Sequence, residues 1–139
     1  MAGLGRKEMK KRRGSKMIKQ DKRIALYIPL DMFNLGVAVF RSETKRLAVL
    51  QKQGCVDLER QNDSALASAH MDYTSDGAIR LSMVIKPGAT RSTWAHECSH
   101  IADFAMEYLG IPPGVESTEV RAYLVGHLFW HLDNSEVPL

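Results

Sequence analysis

Hydrophobic and polar residues alternate most regularly in the middle of the chain. Between residues 78 and 85 every second position is apolar, as seen at Ile79, Leu81, Met83 and Ile85. This period of two is typical of a strand that buries one face. The preceding segment 74–77 contains an Asp-Gly pair, which favours a tight turn. We therefore predict a β-hairpin with arms at residues 69–73 and 78–85.

Shorter apolar runs and helix-capping residues outline the other elements. The pattern predicts a strand at 24–28 ended by Pro29, a strand at 37–40, a helix between Ser42 or Thr44 and Gly54, a loop at 55–67, a helix from Ser92 or Thr93 to about Leu109, and a last helix from Ser117 or Thr118 to about His131. Gly110 and the prolines after it separate the last two helices. The predicted fold is an α/β (α+β) domain, in which a small, mostly antiparallel sheet precedes a C-terminal two-helix hairpin.

Positive charge is concentrated at the start of the chain. Residues 1–23 contain ten Lys or Arg and two acidic residues, whereas the remaining 116 residues contain nine basic and fourteen acidic ones. The net charge of +3 is thus the sum of +8 in the first segment and −5 in the rest. We predict a basic, disordered leader at 1–22 and one folded domain at 23–139. Such a leader either keeps the protein in solution or makes weak contact with nucleic acid through counterion release.

Composition excludes several classes of protein. Hydrophobic residues make up 45% and charged residues 25% of the chain, as in average soluble globular domains. No run of 18 apolar residues is present, so no membrane-spanning helix is expected. The two cysteines, Cys55 and Cys98, are too few for a disulfide scaffold and favour a reducing cytoplasm.

Residues with catalytic chemistry are concentrated in the first of the two C-terminal helices. Residues 96–100 read His-Glu-Cys-Ser-His, an H-E-x-x-H motif. Side chains four positions apart lie one turn apart on the same helix face, so His96 and His100 can ligate one metal ion. Glu97 points about 100° away from His96, which suits a general base acting on water. Cys98 lies on the opposite side and is predicted to be a core thiol.

A catalytic zinc site usually has three protein ligands and one position open to water. The last helix offers candidates for the third ligand, and Glu119 near its start is favoured because the turn folds this helix back against the motif. His127 and Glu116 are the alternatives. His70 and His131 are expected to be ordinary surface or strand histidines.

Two further residues are candidates for a supporting role. Asp103 follows His100 by three positions, and it either orients a ligand or forms an ion pair with Arg121. Tyr123 lies one turn after Glu119, and it is either a donor to a developing oxyanion or a core aromatic residue.

The motif and its flanks resemble a known group of enzymes. The run T-W-A-H-E-C-S-H-I-A-D at 93–103, followed by E-V-R-A-Y at 119–123, resembles the zincin metallopeptidases of the gluzincin type. Within that group it is most similar to the compact minigluzincins and to small metallopeptidases encoded by bacteriophages. The similarity covers about residues 93–131 and the strand before them, and residues 1–68 carry no motif of the group.

The resemblance implies a zincin-like fold and a specific assignment of roles. His96, His100 and Glu119 correspond to the ligands of Zn²⁺, and Glu97 corresponds to the general base. The strand at 78–85 corresponds to the edge strand along which such enzymes bind a peptide substrate.

The sequence therefore predicts a zinc-dependent peptidase of the cytoplasm, or of the host cytoplasm if a phage encodes it, with a peptide or protein substrate and no membrane partner. The alternative is a catalytically weak or inactive zinc-binding protein with a structural or interaction role, which contacts nucleic acid through the leader at 1–22. The intact Glu97 favours the enzyme, because a structural zinc site needs no base and usually takes four Cys or His ligands.

Overall fold

A computed structural model describes residues 21–62, 64–137 and 139. The described strands are β1 (Leu26–Leu30), β2 (Leu35–Phe40), β3 (Cys55–Val56), β4 (Ala67–Thr74) and β5 (Ile79–Ile85), and the described helices are α1 (Glu43–Lys52), α2 (Arg91–Leu109) and α3 (Thr118–Asp133). Short 3₁₀ turns at Asp31–Phe33 and Val115–Ser117 precede β2 and α3. The predicted leader, and with it the predicted contact with nucleic acid, lies outside the described residues except for Asp21 and Lys22. No helix in the described part of the chain is long and apolar enough to cross a membrane.

The five strands form one sheet in the order β1-β2-β5-β4-β3. All neighbouring strands are antiparallel except β2 and β5, which are parallel. The prediction of a mixed α and β domain with a small, mostly antiparallel sheet is therefore confirmed. β3 has only two residues and pairs only with Tyr73 and Thr74. The outer edge of β4 from Ala67 to Asp72 thus has no neighbouring strand among the described residues.

The position of β5 corrects one expectation. β5 pairs with β2 on one side and with β4 on the other, so the strand at 78–85 is central and is not the sheet edge that the resemblance implies. β4 takes the edge position instead. The alternating pattern could not reveal this, because it reports which face of a strand is buried and not how many strands pair with it.

Helices cover both faces of the sheet. On one face α2 and α3 pack on the main core, whose sheet residues include Ile28, Val37, Val39, Leu81, Met83 and Ile85. On the other face Val49 of α1 packs against Ala38, Phe40 and Val84. Because successive residues of a strand point to opposite faces, the run of apolar residues in β2 supplies both cores.

The ends of the elements show how local signals act. Ser42 caps α1, since its hydroxyl accepts a hydrogen bond from the backbone N–H of Lys45 at 3.2 Å. Thr90 caps α2, and not Ser92 or Thr93 as predicted. Pro29 lies inside β1 and does not end it, because β1 is an edge strand and the missing N–H of proline costs little there.

Gly36 permits a close contact between β1 and β2. A methyl group at this position would come within 1.8 Å of the Tyr27 hydroxyl oxygen. The ring of Tyr27 therefore covers the glycine, and burial of this side chain raises the pKa of its hydroxyl.

Candidate metal centre

The two motif histidines converge on the exposed face of α2. The ring centroids of His96 and His100 are 4.7 Å apart in an edge-to-face arrangement, and their Nε2 atoms are 3.0 Å apart. Two nitrogen ligands at about 2.0–2.1 Å from a tetrahedral zinc ion lie roughly 3.3 Å from each other. The pair therefore fits two coordination positions of one metal ion.

Glu97 lies on the inner side of the same turn. Its side chain is 7% exposed, and this burial raises the pKa of its carboxyl, although the nearby His96 and His100 oppose the shift. A carboxylate with a raised pKa is a stronger base than an exposed one. The arrangement supplies a proton acceptor beside the histidine pair.

A cavity of about 260 Å³ lies beside these residues, and it is lined by Gln61, Ala67, Ser68, Ala69, Glu97, His100 and Phe104. The cavity thus lies between α2 and the unpaired edge of β4. The ring of Phe104 stacks on His100 with centroids 6.4 Å apart, which provides an apolar wall. An extended peptide chain that pairs with the edge of β4 would pass next to Glu97.

Gln61 reaches the cavity from a loop that a buried ionic cluster holds in place. Arg46 is 1% exposed, forms an ion pair with Glu43, and donates to Asp72 Oδ2 at 3.0 Å and to the carbonyl of Glu59 at 3.1 Å. Glu43 Oε2 accepts a hydrogen bond from the backbone N–H of Gln61 at 2.5 Å. Burial opposes ionisation of Glu43, but its bonds to Arg46 and Gln61 outweigh burial and lower its pKa.

Sequence reasoning missed both Gln61 and the cluster. Gln61 lies in a polar, aperiodic segment whose sequence has no signal for a site. Arg46 and Glu43 are three residues apart in a predicted helix. Surface ion pairs have the same spacing, so the sequence does not indicate that this pair is buried.

Glu119, the third ligand that the resemblance implies, is exposed in the first turn of α3. Arg121 of α3 reaches Asp103 of α2, with 2.8 Å between Nε and Oδ1. Glu119 comes two residues before Arg121, about 200° around the helix from it. In the described part of the chain no group of three or more His, Cys, Asp or Glu side chains is arranged to hold a metal ion. Glu116 is exposed in the 3₁₀ turn before α3.

The other candidates of α3 lie toward the opposite edge of the sheet. The ring of Tyr123 is stacked on His127 with centroids 5.7 Å apart, and Nε2 of His127 donates to the carbonyl of Pro29 in β1 at 2.9 Å. β2 and β5 separate β1 from β4, so these edges are about 14 Å apart. The structure thus brings together His96, Glu97 and His100, and it places His127, with Tyr123 stacked on it, beside β1.

Three remaining predictions concern structural roles. Asp103 forms an ion pair with Arg121, which is one of its two predicted roles, and both side chains are about half exposed; its role in orienting a metal ligand stays a prediction. Cys98 is fully buried, and burial raises the pKa of its thiol to about 12, which confirms the core thiol. His70 lies on β4 with Nε2 2.7 Å from Ser68 Oγ, and burial, followed by the charge of Arg46, lowers its pKa to about 4.

Comparisons of the chain with protein-family models, with curated proteins and with solved structures find no match. The motif and its geometry are therefore the basis on which a function is assigned.

Proposed function

We propose that the protein is a zinc-dependent peptidase in which His96 and His100 hold the metal ion and Glu97 is the general base. The observation that carries the proposal is the 3.0 Å approach of the two Nε2 atoms beside a buried carboxylate, at a cavity on an unpaired strand edge. Two histidine nitrogens on one helix face, a base beside them and an open strand edge together suit metal-assisted hydrolysis of an extended peptide.

The residues of this chain act in a defined order in the proposal. The backbone of β4 binds the substrate as an additional strand. His96 and His100 would hold Zn²⁺, which would supply Lewis-acid chemistry to the scissile carbonyl when bound. A carboxylate oxygen of Glu97 accepts a proton from the attacking water and later delivers it to the leaving amine. The raised pKa of Glu97 favours the first transfer.

Glu119 stays a prediction within this proposal. The resemblance implies it as the third ligand, and its side chain is exposed in the first turn of α3. The proposal requires only His96 and His100 as protein ligands, and the role of Glu119 is tested separately below. A cytoplasmic location is also part of the proposal, supported by the two buried free thiols of Cys55 and Cys98.

The test combines metal content with hydrolysis of fluorescently labelled casein. Zinc is measured in protein purified without added metal, for the wild type and the variant His96→Ala. We expect about one zinc per chain in the wild type at this site and its loss in the variant. Glu97→Gln is expected to keep zinc, while hydrolysis falls by about 10²- to 10⁴-fold because the general base is absent.

These measurements distinguish a zinc peptidase from a zinc-binding protein without catalytic activity. A wild-type protein that takes up no zinc even after reconstitution contradicts the proposal, and so does a Glu97→Gln variant with wild-type activity. Zinc binding without hydrolysis by the wild type would support the zinc-binding interaction protein instead.

Glu119→Ala has a matched control in Glu116→Ala, since both residues are exposed glutamates near the start of α3. Zinc lost only from Glu119→Ala would establish Glu119 as the third ligand. Zinc retained in both variants would leave the two histidines as the protein ligands.

A further inference from the structure

The last helix carries a second pair of histidines one turn apart. The ring centroids of His127 and His131 are 4.6 Å apart with an interplanar angle of 66°. The corresponding values for His96 and His100 are 4.7 Å and 78°. The two helices therefore carry histidine pairs with similar ring distances and ring angles.

The hydrogen bond of His127 prepares this side chain as a metal ligand. Its Nε2 lies 2.9 Å from the carbonyl oxygen of Pro29. A carbonyl only accepts hydrogen bonds, so Nε2 carries the proton and Nδ1 retains a free lone pair. Histidines that ligate metals typically donate their other ring N–H to a carbonyl or carboxylate in this way.

His131 is free to complete the chelate. Its ring makes no hydrogen bond with the described residues, and it contacts Trp130 edge to face at 5.1 Å between centroids. Rotation about the terminal side-chain torsion of a histidine meets only broad minima. The proposed chelate requires such a rotation, which turns one ring nitrogen of His131 toward Nδ1 of His127.

We propose that His127 and His131 form a second metal site, which takes a divalent transition ion such as Cu²⁺, Ni²⁺ or Zn²⁺. Imidazole suits these ions, and Cu²⁺ is bound most tightly in this series. Two protein ligands leave the other positions to water, so the ion exchanges readily. The bound ion links α3 to the edge strand β1 through the hydrogen bond to Pro29. This inference does not depend on the proposed function, because the site lies away from the cavity.

The test measures binding of Cu²⁺ to the full chain. The substitutions His96→Ala and His100→Ala are present throughout, so that the first histidine pair cannot bind the ion. The fifth histidine, His70, is half-buried on β4, with its Nε2 atom 2.7 Å from Ser68 Oγ. We expect one bound Cu²⁺ with two coordinated imidazoles, counted by pulsed EPR. We also expect quenching of tryptophan fluorescence, because Trp130 contacts His131.

Loss of a supporting hydrogen bond at a metal site lowers metal affinity roughly 10- to 100-fold. Adding His131→Ala removes a ligand itself, so it should lower Cu²⁺ affinity by more than this. His127→Gln guards against unfolding, since its amide can still donate to Pro29, and it should lose affinity equally. Trp130→Phe should lose the quenching and keep the EPR signal. Unchanged affinity in His131→Ala, or a spectrum with a single imidazole, would overturn the inference.

Discussion

Arg46 allows a direct test of how strongly the buried cluster stabilises the fold. It is among the largest fully buried side chains, and its ion-pair partner Glu43 is only 3% exposed. Replacing Arg46 by methionine fills similar space but leaves the carboxylates of Glu43 and Asp72 without their cation. Breaking a buried ion pair from one side costs about 3–5 kcal/mol.

A loss of this size is large compared with the stability of an ordinary domain, which is about 5–15 kcal/mol. We therefore expect Arg46→Met to lower the free energy of unfolding by about 3–5 kcal/mol and the melting temperature by about 12–20 °C. Urea denaturation followed by circular dichroism measures the free energy. Adding Glu43→Leu should recover part of the loss, because replacing both partners by apolar residues costs less than removing one.

The matched control is Arg91→Met. Arg91 also forms an ion pair, with 2.6 Å to Asp133, but its side chain is 65% exposed. Exposed pairs contribute about 0–1 kcal/mol, so this variant should unfold almost as the wild type does. Equal effects of Arg46→Met and Arg91→Met, or a loss below about 1 kcal/mol for Arg46→Met, would refute the reasoning that burial makes the cluster important.

Two other properties of the fold give predictions. His70 has a pKa lowered to about 4 from 6.5, so its neutral ring contributes fully to the stability of the fold above pH 6.5, and this contribution is lost as the pH falls toward 4. Urea titrations should show that the free energy of unfolding falls by up to about 3 kcal/mol across this range. The variant His70→Gln should remove most of this pH dependence. Gly36→Ala should cost about 1–3 kcal/mol because the methyl group collides with Tyr27. Gly126→Ala, at a helical glycine with open space around it, should stabilise by about 0.5–1 kcal/mol. Thermal melts compare the two glycine variants, and a Gly36→Ala protein as stable as Gly126→Ala would contradict the close contact.

The sequence predicted those parts of the fold that depend on local signals. The Asp-Gly turn placed the hairpin that β4 and β5 form, and Gly110 marked the end of α2 with a left-handed residue at φ 72°. Ser42, one of the two predicted caps of α1, was correct for the same reason: a capping hydroxyl bonds a backbone N–H three residues away.

The order of the strands could not be predicted in this way. It depends on the parallel pairing of β2 with β5, which joins residues about 44 positions apart and leaves no periodic trace. The extent of β1 was also missed, because the effect of Pro29 depends on whether a strand is at the edge of its sheet.

The candidate site also combines residues placed by local spacing, which the sequence predicts, with residues placed by contacts between distant segments, which it does not. The spacing of His96 and His100 predicted their convergence, since both lie on one helix. The position of Glu119 depends on the rotation of α3 about its own axis, which the contact between Asp103 and Arg121 helps to fix. Gln61 depends on buried bonds from α1 to a distant loop. A motif confined to one helix is therefore predictable, and its partners from other elements are not.

Because Cys98 is buried, its thiol can be used as a probe of local opening of the helix that carries the motif. The thiol is fully buried within the H-E-x-x-H turn, and its pKa of about 12 means that almost no thiolate is present at neutral pH. Alkylating reagents can reach it only when the core packing around α2 opens. The rate of its modification therefore measures how often this helix opens, on a timescale that static distances do not report.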